Sequence, residues 1–203
     1  MSMPKSAKGT RPRAYRDQRD FHKPPSAGAG PWRRTNPIFV IQKHAASHLH
    51  YDFRLEVDGV LKSWAVPKGP SLDPRDKRLA IEVEDHDLEY ADFEGVIAEG
   101  RYGAGTVIVW DAGPYRNLAR DKSGNEIPAH DALARGRLEI WLEGKKIRDG
   151  YALVRTQMGG GKRNWLLIKM RDECANPDRR PTETEPYSVI SGRTVEEVAP
   201  RQG

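Results

Sequence analysis

Within QKHAASHLHYD, the residues His44, His48, His50 and Asp52 place three imidazoles and a carboxylate in nine positions. Imidazole and carboxylate together suit divalent first-row metals such as Mn, Zn, Fe or Co. The stretch LHYDFRLEV alternates: Leu49, Tyr51, Phe53, Leu55 and Val57 are apolar, whereas His50, Asp52, Arg54 and Glu56 are polar. Successive side chains of a strand point to opposite faces, so His50 and Asp52 are neighbours on one side of it. His44 becomes a third ligand if the loop 45–47 brings two strands together. A polar outer face on a half-exposed strand gives the same pattern, so the chemistry nearby has to decide. Arg54 continues the polar face, Lys68 follows the VPKGP turn, Arg78 opens the next polar run, and His86 lies in EDHDLEY. These cations form a candidate phosphate clamp around a metal, and His86 is a candidate proton donor or phosphate ligand.

Other constellations carry less. EGRYGAGT (99–106) lacks the GxxxxGK[ST] pattern and precedes a strand, so it is a structural turn instead of a nucleotide loop. MGGGKRN (158–164) is a hairpin whose Lys162 and Arg163 could touch a nucleic-acid backbone. No GxSxG elbow occurs, and Cys174, the single cysteine, offers no internal disulfide.

The elements that must position these residues are short β-branched and aromatic runs broken by Gly, Pro and Asp. Strands are expected at 38–44, 49–57, 60–66, 78–85, 106–112, 137–144, 146–156 and 164–170, with one short helix near 129–135. Asp58-Gly59 reads as a two-residue hairpin turn, because both positions of that turn need positive φ. About eight antiparallel strands with few helices imply a mostly β, single-domain barrel-like fold, since closure removes exposed edges. Residues 1–37 form a basic arm, 38–172 the barrel, and 173–203 a flexible tail. Charge follows the same division: net +7 in 1–37, twenty of each sign in 38–170, and five Arg against seven acids after that. A basic arm attached to a neutral body is an anchor for a polyanion or a solvated tail. With mean hydropathy −0.76 and no long apolar run, a membrane span is excluded, and a cytoplasmic location is expected.

FVIQKHAASHLHYDFRLEVDGVLKSWAVPKGPSLDP, KRLAIEVEDHDLEYADFEGVI and EGRYGAGTVIVWD together closely resemble the 3'-phosphoesterase domain of bacterial ligase D. The resemblance runs from about Tyr15 to NWLLIKMRD. It implies a manganese enzyme, with Co2+ or Zn2+ as alternatives, that heals DNA 3' ends for end joining. Such an enzyme removes a 3'-terminal ribonucleoside and then the 3'-phosphate of a primer-template, leaving a 3'-OH for a DNA ligase and its end-joining partners. The resemblance makes His44, His50 and Asp52 the metal ligands and Arg54, His86 and Tyr90 the catalytic groups. Lys68, Arg78, Arg19 and Asp20 become phosphate- or substrate-binding residues. Ser26 stands where the family typically has a glutamate. The competing reading is a non-catalytic module that binds DNA ends and recruits repair partners.

Overall fold

A computed structural model describes residues 37–101, 103–157 and 163–199. Among the described residues nine strands are formed: β1 (Ile38–Ala45), β2 (Leu49–Val57), β3 (Val60–Val66), β4 (Lys77–Glu82), β5 (Gly95–Ile97), β6 (Gly105–Asn117), β7 (Arg137–Leu142), β8 (Gly150–Arg155) and β9 (Asn164–Lys169). They pair antiparallel in the order β1-β2-β3-β4-β9-β8-β7-β6, and β6 pairs back to β1, so eight strands close a barrel. The short β5 lies outside the ring, on the β6 edge at Gly105–Val107. Helix α1 (Ala129–Ala134) follows β6, as expected.

The β2–β3 turn has Asp58 at φ 52° and Gly59 at φ 79°, the pair of left-handed residues that a tight hairpin requires. The hairpin fixes Phe53 opposite Trp64 and Arg54 opposite Ser63. Every side chain's face is thereby set, because one residue of slip would exchange the two faces. The interior takes Phe39, Ile41, Phe53, Leu55, Trp64, Trp110, Leu138, Ile140, Leu153, Trp165 and Leu167. Outside the wall, Ile38, Val40 and Val109 pack with Leu61 and Ala112 under Leu88, Tyr90 and Ala91. That second cluster explains why β1 is apolar on both faces: one face fills the barrel and the other is covered by the segment after β4.

Several boundaries differ from the sequence reading. β4 stops at Glu82, and the run after it crosses to β3, where His86 makes an isolated bridge with Leu61. β6 extends to Asn117, and β5 is too short to leave a periodic signal. Residues 143–149 form a turn, not a strand, because the buried Asp111 carboxylate accepts the backbone N–H groups of Lys145, Lys146 and Ile147 at 2.9–3.2 Å.

The segment after Asp172, polar in composition, lies against the barrel instead of trailing from it. It carries the one-turn helices α2 (Pro181–Thr184) and α3 (Val195–Val198). Trp110 Nε1 donates to the Glu185 carbonyl at 2.7 Å, and Tyr51 Oη donates to the Thr182 carbonyl at 3.2 Å. Lys146 Nζ donates to the carbonyls of Glu185 and Tyr187 and lies over the rings of Trp110 and Tyr187. Its burial lowers its pKa to about 8. Few apolar side chains mark this segment because the barrel's own polar and aromatic groups reach out to its backbone.

Candidate metal and phosphate site

The polar face of β2 lies on the outer wall of the barrel. β1 and β2 pair with His44 opposite His50 and Gln42 opposite Asp52, which brings both histidines and the aspartate together at one end of the hairpin. One ligand atom from each of His44, His50 and Asp52 lies within 4.8 Å of the other two. His44 Nδ1 is 3.5 Å and His50 Nε2 3.7 Å from the Asp52 carboxylate, and the two rings are 4.7 Å apart. His50 Nδ1 sits 3.0 Å from the His48 carbonyl, the contact that fixes the ring with Nε2 free to accept. His48 thus serves through its backbone. His44 Nε2 is buried and has no hydrogen-bond partner among the described residues, an expensive state for an imidazole unless a further group occupies the site. Two imidazoles and a carboxylate in this spacing fit a divalent cation. A Cβ added at Gly103, which has φ 76°, would lie 3.8 Å from the His44 ring, so the glycine-rich turn borders the site.

Arg54 is the hub of the neighbouring network. Its Nε donates to Gln42 Oε1 at 2.8 Å, Nη1 donates to Ser63 Oγ at 2.7 Å, and Nη2 lies 3.3 Å from Asp52 Oδ2. Nη1 is also 2.9 Å from His86 Nδ1, which in turn is 2.8 Å from the Glu84 carbonyl. One tautomer of His86 accepts from the guanidinium, and the other donates to the carbonyl. The Arg54 guanidinium lies 5.1 Å over the Tyr90 ring, which stacks on Phe93 and lies tilted against His86, its centroid 5.0 Å from each. Gln42 ties these parts together, since its Nε2 donates to the carbonyls of Tyr90 and Phe93 at 3.1 Å.

Burial and charge set the protonation states. Burial would raise the Asp52 pKa, but Arg54, His44 and His50 outweigh it and hold the carboxyl below its ordinary value. Burial, followed by the Arg54 charge, lowers the His86 pKa to about 4, so its imidazole is neutral at pH 7. Burial raises the Tyr90 pKa and keeps its hydroxyl as a donor.

The fold brings His44, His50, Asp52, Arg54, His86 and Tyr90 together. Arg78 stands apart from this cluster. The register Trp64↔Glu82 and Ala65↔Ile81 turns the even residues of β4 inward, beside the buried Ala80, and leaves Leu79 and Ile81 outside. Arg78 therefore pairs with Asp76 at 2.8 Å and lines a cleft of about 210 Å³ with Ser71, Asp73, Arg179 and Arg180. Lys68 is exposed in the turn that follows β3. Arg19, Asp20, Ser26 and Lys162 lie outside the described residues. Two buried members of the network, Gln42 and Ser63, were missed in the sequence. Ser63 is a lone polar residue on the outer face of the apolar run VLKSWAV, and Gln42 breaks the apolar outer face of IFVIQKH one step before His44, and those interruptions are their signal.

An antiparallel barrel with a triad fit to hold a cation beside a buried guanidinium on its outer wall has the groups that phosphate-ester chemistry uses. The sequence comparison narrows this class: residues 42–155 match the DNA ligase D 3'-phosphoesterase domain family, and the chain belongs to that family. It is 47% identical over 194 residues to the multifunctional non-homologous end joining protein LigD of Pseudomonas aeruginosa, covering 93% of this chain and 22% of that protein. The protein of the same name from Mycolicibacterium smegmatis is 39% identical over 180 residues, 88% of this chain and 22% of the relative. The multifunctional non-homologous end joining DNA repair protein LigD of Mycobacterium tuberculosis is 44% identical over 161 residues, 78% and 20% of the two chains. This chain therefore spans about a fifth of the length of these relatives.

Proposed function

We propose that the protein is a DNA 3' end-healing phosphoesterase that removes a 3'-terminal ribonucleoside and then the remaining 3'-phosphate, leaving a 3'-OH for a ligase. The observation that carries this reading is the junction of two chemistries at Asp52. Its carboxylate faces the two imidazoles on one side and the Arg54 guanidinium on the other. His44, His50 and Asp52 would hold a divalent cation, Mn2+ by resemblance, with Co2+ or Zn2+ as substitutes. Such an ion supplies Lewis acidity at a phosphoryl oxygen.

The chain's own residues do the rest. Arg54 is fixed by Gln42, Ser63 and Asp52, so its charge faces the phosphate without reorganisation as negative charge develops. Tyr90 offers a hydroxyl proton. His86, neutral before substrate binds, acts as a hydrogen-bonding group or proton acceptor first, and becomes an acid only after taking up a proton beside the anionic ester. Lys68, Arg78, Arg19 and Asp20 would then contact the substrate away from the scissile bond, and the basic arm would supply affinity for the DNA backbone that falls with salt.

The test uses a primer-template with one 3' ribonucleotide, incubated with Mn2+, Mg2+, Zn2+ or EDTA beside a His50→Ala variant. A metal-dependent passage through a 3'-phosphate to a 3'-OH end, absent in the variant, is expected. DNA binding without product in any metal would reject the reading.

A further inference from the structure

We propose that Ser188 and Val189, in the C-terminal segment beyond the matched stretch 42–155, are positioning residues of the site. They act through Glu94 on the segment that carries His86 and Tyr90. The proposal rests on the functional reading above, since it is the placement of those two side chains against Arg54 that the contact controls.

The need for such a contact arises in β6. On the edge of β6 away from β1, β5 pairs only with Gly105–Val107 and β7 only with Tyr115–Asn117. The backbone between them would otherwise lack strand partners on that edge, a costly condition for buried groups. Val109 is fully buried there, and both its polar groups are met by other means. Its N–H donates to Glu94 Oε1 at 2.8 Å, and its carbonyl accepts from the Val189 N–H at 2.9 Å. The hydroxyl of Ser188, which is 2% exposed, donates to the same Glu94 oxygen. Ser188 is held in turn, because its Oγ accepts the N–H groups of Ile190 and Ser191 at 2.9 and 3.0 Å. Val189 packs in the outer apolar cluster with Leu88, Tyr90 and Ala91.

Glu94 adjoins Phe93, whose carbonyl, like that of Tyr90, accepts from Gln42 Nε2. Three of the contacts that hold the segment 86–94 lie along its length. These are the His86–Leu61 bridge, Gln42 at its middle, and Glu94 with Ser188 and Val189 at its end. Of these three, the last draws on β6 and on the C-terminal segment, next to the β5–β6 pairing that begins at Gly95. Releasing it leaves the metal ligands on β1 and β2 untouched while freeing the end of the segment, so that Tyr90 and His86 lose their fixed relation to Arg54. A displacement of about 1 Å of such groups costs on the order of a hundred-fold in rate.

The experiment compares the full chain with Ser188→Ala, Glu94→Ala, Glu94→Gln and the double alanine variant. It reads kcat and KM on the 3'-phosphate primer-template, thermal stability, and amide hydrogen exchange at Tyr90 and Phe93. Expected are a fall of about ten-fold or more in kcat with KM within about two-fold, and exchange about ten-fold faster at Tyr90 and Phe93 but unchanged in β2 and β3. Glu94→Gln keeps an acceptor oxygen of the same reach and should retain kcat within about two-fold. The double variant should lose no more than the worse single one, because the residues act as one unit. Wild-type kcat in Ser188→Ala, or a loss shared by exchange throughout the barrel, would overturn the proposal. If the wild-type protein acts on no DNA end, the functional reading fails separately. Exchange at Tyr90 and Phe93 then decides the latch, and unchanged rates in Ser188→Ala would sink it.

Discussion

His86 shows how a single residue's environment becomes a measurable property of the protein. Burial and the Arg54 charge hold its pKa near 4, against 6.5 for a free imidazole. The unfolded chain therefore takes up this proton at a higher pH than the folded one. The stability due to the neutral imidazole is present above about pH 6.5 and is lost as pH falls toward 4, by up to about 3 kcal/mol. Urea unfolding at steps between pH 7 and pH 4 should show this slope in the wild type and a flatter one in His86→Asn; equal slopes would mean that His86 is not buried as described. The polar face of β2 was legible in the alternation of LHYDFRLEV, because period-two patterning needs no tertiary information. What the pattern could not show is that this face is covered. Asp52 and Arg54 are 7% and 3% exposed, because the 84–94 segment, remote in sequence, folds over them. Arg78 was grouped with them by its charge, by its order in the chain and by the family resemblance. The register across β3 and β4, which no local pattern encodes, sends it to the other side of the wall.

Among the elements, the turns carry the sharpest constraints. Gly105 begins β6 at φ 143°, and a Cβ there would lie 2.4 Å from the Ala45 carbonyl oxygen at the end of β1. Gly124 has φ 84° with nothing within 4 Å of the same position. Gly124→Ala should therefore cost only the left-handed backbone strain, about 1 kcal/mol. Gly105→Ala should cost about 3 kcal/mol or more, since the β1–β6 closure must shift. Denaturant midpoints of the two variants check this, and similar values would contradict the close approach at β1. The Asp58-Gly59 hairpin could be read from the sequence because a two-residue turn has few solutions. β5 could not, since three residues carry no period, and the 143–149 turn was hidden because its organiser, Asp111, is a carboxylate inside a strand.

Across the whole molecule, closure of the barrel and docking of its last segment are linked. Trp110 is fully buried, yet its indole N–H is satisfied by the Glu185 carbonyl, and Lys146 is held by the same stretch of backbone. Ending the chain at Asp172 would leave these groups without partners. Such a variant should unfold at distinctly lower denaturant than the full chain, by several kcal/mol, with a red-shifted tryptophan emission before global unfolding. Unchanged stability would show that the segment is an appendage, as its composition alone suggests. Compositional reading fails here for a definite reason: most of what fastens the segment is its own backbone, and backbone hydrogen bonds leave no mark on residue type.

The direction of β1 also governs how the residues before it can serve the site. Pro37 stands at one end of this strand and His44 at the other, so a chain entering the barrel must double back by about 23 Å to reach the metal ligands. Between Asp20 and Pro37 lie seventeen peptide steps, enough for roughly 55 Å when extended. That length is enough for the substrate role proposed above for Arg19 and Asp20. On that reading, removing about five residues leaves reach enough and should preserve activity, whereas removing about twelve should abolish it as completely as replacing Arg19 and Asp20 with alanine.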